Sequence, residues 1–270
     1  MPRIAVNGVS LHYEESGGGQ DTAPETLVFA HGLLCAGTLF RRQLAALGAR
    51  YRCLAFDFRG HGASDAAPGG YDMASLCDEM AAFVAAAGGG PCHVLGHSMG
   101  GFVAQLLALR HPAFVRSLVL INTTADAETT VNALRYRALA AAARCVGFGW
   151  LAGPMAAGML GRAYRRDPAR VEDRAELRRT LAANRGPAAL AAIAGVAGRT
   201  SIHDRLDRIG VPTLVIGGAE DTVTRPVHSL RMAERIAGAE LHVLPGVGHC
   251  ATLEAPDQFN ALVGRFLAAQ

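Results

Sequence analysis

The stretch from Pro91 to Gly101, P-C-H-V-L-G-H-S-M-G-G, places one serine between Gly96 and Gly100. The apolar run that closes at Leu95 reads as a strand, and the F-V-A-Q-L-L-A-L that follows has helical spacing. A strand that turns sharply into a helix with serine at the apex is a G-x-S-x-G nucleophile elbow. The small residues let strand and helix approach closely while Ser98 takes a strained turn conformation that lifts its hydroxyl clear of the backbone. An alcohol is a weak nucleophile at neutral pH, so Ser98 needs a general base, and that base needs an orienting acid.

In an open parallel sheet those partners belong on loops at the C-terminal ends of later strands. The run V-P-T-L-V-I-G-G is followed by A-E-D-T-V, which offers Asp221. The run L-H-V-L-P is followed by G-V-G-H-C, which offers His249. Two other acids stay open: Glu220 adjoins Asp221, and Asp126 follows the preceding strand.

The elements that must position these residues follow from hydrophobic period. Residues 3–15 read as two strands around Asn7-Gly8, and residues 17–25 as a polar, Gly-rich loop. T-L-V-F-A, R-C-L-A-F-D and S-L-V-L-I-N are continuous apolar runs of the kind a strand buried on both faces shows. Between them, 39–47 and 72–87 have helical spacing, the second with Asp72 as cap and Met73, Leu76, Met80, Phe83 and Val84 on one side. From 126 to 197 no buried-strand run occurs. Val131, Leu134, Ala138, Ala142 and Cys145 keep a helical period there, 170–183 is a charged helical segment, and G-F-G-W-L-A-G-P-M-A-A-G-M-L-G lies between. The α/β rhythm then returns, with helices opening near Pro226 and Pro256. The expectation is an α/β chain with a mostly parallel twisted sheet of about eight strands and helices on both faces. Its core comprises 1–125 and 198–270, with a helical lid insertion at 126–197.

Composition limits the function classes. With 270 residues, 50% hydrophobic and 18% charged, the chain has material for one large core. Its net charge is +3 and its basic residues are all arginines, scattered rather than striped, which argues against a nucleic-acid surface. The N-terminus lacks the apolar core of a signal peptide and no stretch has the length of a membrane span. The six cysteines show no C-x-x-C, so they read as buried thiols of a reducing compartment, the cytoplasm. Cys35 and Cys250 flank the expected site without a base of their own and read as packing residues. His61 and His97 read as packing or hydrogen-bonding residues, and Asp57 and Arg59 as ordering the loop beside the site.

H-G at 31–32, D-F-R-G-H-G-A-S-D at 57–65, G-H-S-M-G-G at 96–101, G-A-E-D at 218–221 and G-H at 248–249 resemble, in order and spacing, the motifs of α/β-hydrolase-fold serine hydrolases. The resemblance covers nearly all of the chain outside the lid. It implies Ser98 as nucleophile, His249 as base and Asp221 as the acid, in the family's chain order. It also implies an oxyanion hole from the backbone N–H groups of Leu33 and Met99. Within the family, F-R-G-H-G-A-S, S-M-G-G and L-V-L-I-N-T are similar to the carboxylesterase and enol-lactonase group. The expected reaction is hydrolysis of a small carboxylic ester or lactone with no metal or organic cofactor. Alternatives on the same triad are a cofactor-free perhydrolase or haloperoxidase, or a carbon–carbon bond hydrolase; a hydrolase-like small-molecule receptor is a third. Serine at 98 argues against the aspartate-nucleophile branches. Phe148, Trp150, Met155 and Met159 are read as lid core or, alternatively, as lining an apolar pocket. Arg135, Arg137, Arg162, Arg165 and Arg166 are the lid's candidates for holding an anionic lactone.

Overall fold

A computed structural model describes residues 2–17 and 25–270 of the chain. The Gly-rich loop read at 17–25 lies, apart from its two ends, outside the described residues. Eight strands form one sheet: β1 (Arg3–Val6), β2 (Val9–Ser16), β3 (Thr26–Ala30), β4 (Arg52–Phe56), β5 (Cys92–His97), β6 (Val115–Ile121), β7 (Thr213–Gly218) and β8 (Glu240–Leu244). Their order across the sheet is β1-β2-β4-β3-β5-β6-β7-β8. The β1–β2 and β2–β4 pairs are antiparallel, and every pair from β4 to β8 is parallel. Asn7 and Gly8, at φ 49° and 76°, make the tight hairpin between β1 and β2.

Strand alternation divides the core between two faces. Leu27, Phe29, Cys53 and Ala55 point to one side, where α1 (Arg41–Leu47) and α11 (Pro256–Ala268) cover them with Leu44, Phe259 and Val263. Val28, Ala30, Leu54 and Phe56 point to the other, under α2 (Met73–Ala86) and α3 (Met99–Arg110) with Met80, Phe83 and Val103. Phe29, Phe56 and Phe83 are completely buried, and each such side chain contributes about 1.5–3 kcal/mol through removal from water. Asp72 caps α2 by accepting from Ser75 N–H at 2.9 Å, as its sequence position predicts.

Between β6 and β7 the chain leaves the sheet for α4 (Thr130–Val146), α5 (Phe148–Met159), α6 (Arg162–Arg166), α7 (Val171–Ala182) and α8 (Gly186–Ala197). The ends of this excursion meet, since Ile202 N–H donates to the Ala125 carbonyl at 2.9 Å and Arg199 Nε to that of Asp126 at 3.0 Å. The buried stripe of α4 differs from the one its apolar period suggests. Val131 and Leu134 are 60% and 55% exposed, while Tyr136, Leu139, Ala140 and Ala143 pack inward. Two more helices, α9 (Pro226–Arg235) after β7 and α10 (Ala251–Glu254) after β8, complete the chain. No helix among the described residues is long and apolar enough to cross a membrane.

Candidate active site

Ser98 stands between β5 and α3 with φ 53° and ψ −115°, a region that L-residues avoid. Its neighbours explain how it is held there. A side chain at Gly96 would lie 2.5 Å from the Gly100 carbonyl oxygen, and one at Gly100 would overlap the Ala30 carbonyl. One at Gly101 would lie 2.6 Å from Thr123 Cβ. Ser98 N–H donates to Ile121 O at 2.9 Å, and Thr123 Oγ1 donates to Ser98 O at 2.6 Å, so β6 fixes the turn from one side. The half-buried serine hydroxyl has no hydrogen-bond partner among the described residues.

The loop after β3 closes the other side. Gly100 N–H donates to His31 O at 3.1 Å, and a Cβ at Gly32 would sit 2.9 Å from His97 Nδ1 and 3.2 Å from Ser98 Cβ. His31 is buried, with Nδ1 2.8 Å from Gly32 O and Nε2 accepting from Phe58 N–H at 3.0 Å. Burial lowers its pKa, which keeps the ring neutral and suited to bracing the loop. Leu33 and Met99 face one cavity with Ser98, and their backbone N–H groups donate to nothing among the described residues.

His249 and Asp221 meet. His249 Nδ1 is 2.8 Å from Asp221 Oδ2, and both side chains are almost wholly buried. Asp221 also accepts from Asn122 Nδ2 at 2.8 Å, Val223 N–H at 2.8 Å, Thr224 N–H at 2.9 Å and Thr224 Oγ1 at 2.8 Å. Burial alone would raise this carboxyl; the His249 imidazole, Asn122 and Thr224 outweigh it and hold Asp221 down at about 2. Glu220 turns away to accept from Arg162 N–H at 2.6 Å. Asp126 pairs with His228 at 3.0 Å and Arg231 at 2.9 Å and does not contact His249. Of the three acids left open by spacing, only Asp221 reaches the imidazole.

Two supporting residues, Asn122 and Glu254, had no sequence signal. Asn122, at the end of β6 with φ 45°, also donates to Gly248 O at 3.1 Å. Glu254 accepts from Gly248 N–H and Cys250 N–H, both at 3.1 Å, on either side of His249. His97 donates through Nε2 to His249 O at 2.8 Å, joining the elbow to the His249 loop. Burial, with the adjacent His249, lowers His97 to about 3, so it acts as a neutral donor. Asp57 is a hub beneath the site, accepting from Gly37 N–H at 2.6 Å and Ala63 N–H at 2.9 Å, with His12 Nδ1 at 2.8 Å. Arg59 pairs with the buried Glu79 at 2.6 Å. Burial pushes the Cys35 thiol up to about 12 and raises that of Cys250 well above the usual thiol range, so neither is a thiolate at neutral pH.

A cavity of about 540 Å³ holds Ser98, Leu33 and Met99. Its wall is polar, with Asp126, Asn132, Arg135, Thr222, Arg225 and His228 among its residues. This corrects the alternative reading in which Phe148, Trp150, Met155 and Met159 of α5 line an apolar pocket. Trp150 is 81% exposed, Phe148 is buried among the α5–α7 side chains, and Met155 and Met159 pack against that cluster. None of the four lines the cavity, because α5 buries Phe148, Ala152 and Ala156 in the cluster with Leu177 and Leu181 of α7 and leaves Gly149, Gly153 and Gly158 open. Met159 reaches the site through its backbone, accepting from His249 N–H at 2.6 Å. Of the five candidate arginines only Arg135 is on the wall; Arg162 pairs with Glu220 and Arg165 donates to Ala157 O. A cluster with metal-ligand chemistry, Cys77, Asp78 and His111, has its carboxylate shared with Arg110 at 3.1 Å and belongs to the α2–α3 surface.

A family model described as alpha/beta hydrolase fold matches residues 25–256. A Variovorax paradoxus protein provisionally named carbamate hydrolase RutD is 32% identical over 96% of both chains. The 3-oxoadipate enol-lactonase 2 of Acinetobacter baylyi is 27% identical over 96% of this chain and 94% of its own. The crystal structure of the enol-lactonase from Burkholderia xenovorans superposes with a TM-score of 0.91 at 26% identity, covering 99% of this chain and 100% of that one.

Proposed function

Because the chain belongs to the alpha/beta hydrolase fold family and is a hydrolase, we propose that it cleaves a small carboxylic ester or lactone through an acyl-enzyme on Ser98. The observation that carries this reading is the 2.8 Å contact between His249 Nδ1 and Asp221 Oδ2. It leaves Nε2 as the basic nitrogen of the ring, on a loop that His97 ties to the elbow. Ser98 Oγ attacks the carbonyl carbon while its proton passes to His249 Nε2. The resulting oxyanion is held by the N–H groups of Leu33 and Met99, each donor worth about 3–4 kcal/mol in the transition state. His249 then protonates the leaving alkoxide, and the acyl group remains on Ser98. Water, deprotonated by His249, attacks the acyl-enzyme and releases the acid. The chemistry needs no metal or organic cofactor. In this reading residues 126–197 act as a lid over the core, and the free, mostly buried cysteines fit a reducing cytoplasm.

A specific observation favours an anionic substrate, ester or lactone. Arg135 and Arg225 are on the cavity wall and neither pairs with a carboxylate among the described residues, whereas Arg199 is taken by Glu128 at 2.6 Å. The relatives named for carbamate and enol-lactone hydrolysis support a carbonyl carrying a heteroatom leaving group. The test is a panel of para-nitrophenyl esters and lactones on wild type and Ser98→Ala. Loss of turnover with unchanged circular dichroism is expected; near-wild-type activity in Ser98→Ala would exclude the mechanism.

A further inference from the structure

The cavity that contains Ser98 holds a second imidazole–carboxylate pair. His228, in the first turn of α9, has Nδ1 3.0 Å from Asp126 Oδ2 and 3.2 Å from Thr124 Oγ1. Arg231, almost one turn further along α9, donates to the same Asp126 oxygen at 2.9 Å. An ionised carboxylate only accepts, so in the neutral ring the proton sits on Nδ1 and the lone pair on Nε2. His228 and Asp126 both line the cavity, their side chains 27% and 21% exposed, and Nε2 has no protein partner among the described residues. Spacing had left Asp126 open as an acid for His249; the structure gives it to a different imidazole.

We propose that His228 is a specificity-determining residue whose Nε2 accepts a hydrogen bond from an O–H or N–H group that the substrate carries away from its scissile carbonyl. Asp126 acts through it as a positioning residue, fixing ring plane and tautomer, with Arg231 and Thr124 holding the carboxylate in turn. The proposal rests on the acyl-transfer reading of the same cavity and adds a substrate class to it: esters or lactones bearing a hydroxyl, amine or amide N–H. A substrate lacking that donor strips water from Nε2 without replacing it, a penalty of roughly tenfold in kcat/KM.

The test uses omega-hydroxyalkyl butyrates of graded chain length against their methyl ethers, in mildly alkaline buffer where an imidazole is neutral. The wild-type protein is expected to prefer the hydroxyl compound by about tenfold at one chain length, through KM more than kcat. The preference should vanish in His228→Leu and return in part in His228→Gln, whose Oε1 supplies an acceptor near the position of Nε2. Being a ratio within one variant, it is insensitive to how much folded enzyme each preparation contains. No preference in wild type, or one that survives His228→Leu, overturns the proposal. If neither ester is hydrolysed, the acyl-transfer reading falls, and the proposal is decided by calorimetry on Ser98→Ala with and without His228→Leu. Tighter binding of the hydroxyl ester, lost with His228, supports it; equal binding, or none, overturns it.

Discussion

Asn122 donates through Nδ2 to Asp221 Oδ2 at 2.8 Å, and that same oxygen meets His249 Nδ1 at 2.8 Å. With its second bond to Gly248 O, the amide at the end of β6 anchors both the acid and the loop that carries the imidazole. Asn122→Ala removes a donor from the carboxylate and lets the loop drift. We predict a fall in kcat on a short-chain ester of roughly tenfold or more with KM little changed, since the lost contact acts on the transition state. A kcat equal to wild type would mean that Asn122 only packs.

Acid should expose the value of the Asp221 contacts. Its carboxyl is held at about 2 in the folded protein, against ~3.9 in an unfolded chain. A depressed folded-state pKa contributes stability that is present above the unfolded value and is lost as pH falls through the folded one. The loss is about 2 kcal/mol between roughly pH 4 and pH 2. Urea unfolding of wild type and Asp221→Asn across that window should show wild type losing about 2 kcal/mol more than the variant. Parallel pH profiles would contradict the assignment.

Much of this site was legible before the fold was known. Ser98 and Asp221 follow apolar runs that a parallel sheet buries on both faces, His249 follows the mixed run of the edge strand β8, and the sheet delivers the C-terminal ends of all three to one edge. Asn122 was not legible, because a strand-end asparagine reads as a turn residue until the partner strand β7 is placed beside it. Nor was the pocket wall. The period of α4 offered Val131 and Leu134 as its inner face, but the helix packs through Tyr136, Leu139, Ala140 and Ala143. Alanine-rich helices carry little hydrophobic contrast, so their rotation is decided by the neighbouring helices. The same weakness left Phe148, Trp150, Met155 and Met159 open between lid core and pocket wall.

The glycines of the elbow are expected to differ sharply from a glycine elsewhere. A methyl at Gly100 overlaps the Ala30 carbonyl and would stand 2.7 Å from that of His31, both main-chain atoms of a central strand and its loop. Gly100→Ala should destabilise by about 3 kcal/mol or prevent folding. Gly264 in α11 has nothing within 4 Å of the same position, and Gly264→Ala should stabilise by up to about 1 kcal/mol. Thermal melts of the pair read both signs; similar melting temperatures would refute the packing argument.

Glu254 holds the His249 loop from below. It accepts from Gly161 N–H at 2.7 Å as well as from Gly248 and Cys250 N–H at 3.1 Å. Burial raises its pKa, with those N–H groups pulling the other way. Glu254→Ala leaves the buried donors unpaired, at about 2–3 kcal/mol, and should lower kcat. Glu254→Gln, which keeps one acceptor oxygen but turns an NH2 toward the N–H groups served by the other, should recover part of both. Equal damage from the two variants would indicate that the charge, rather than the acceptor, matters.

The central claim is a covalent acyl group on Ser98. Wild type acid-quenched during turnover of para-nitrophenyl butyrate should carry one added butyryl mass, mapped after digestion to the peptide containing Ser98. Ser98→Ala should carry none and release no nitrophenol above background. An adduct on another residue, or full turnover by Ser98→Ala, would contradict the account.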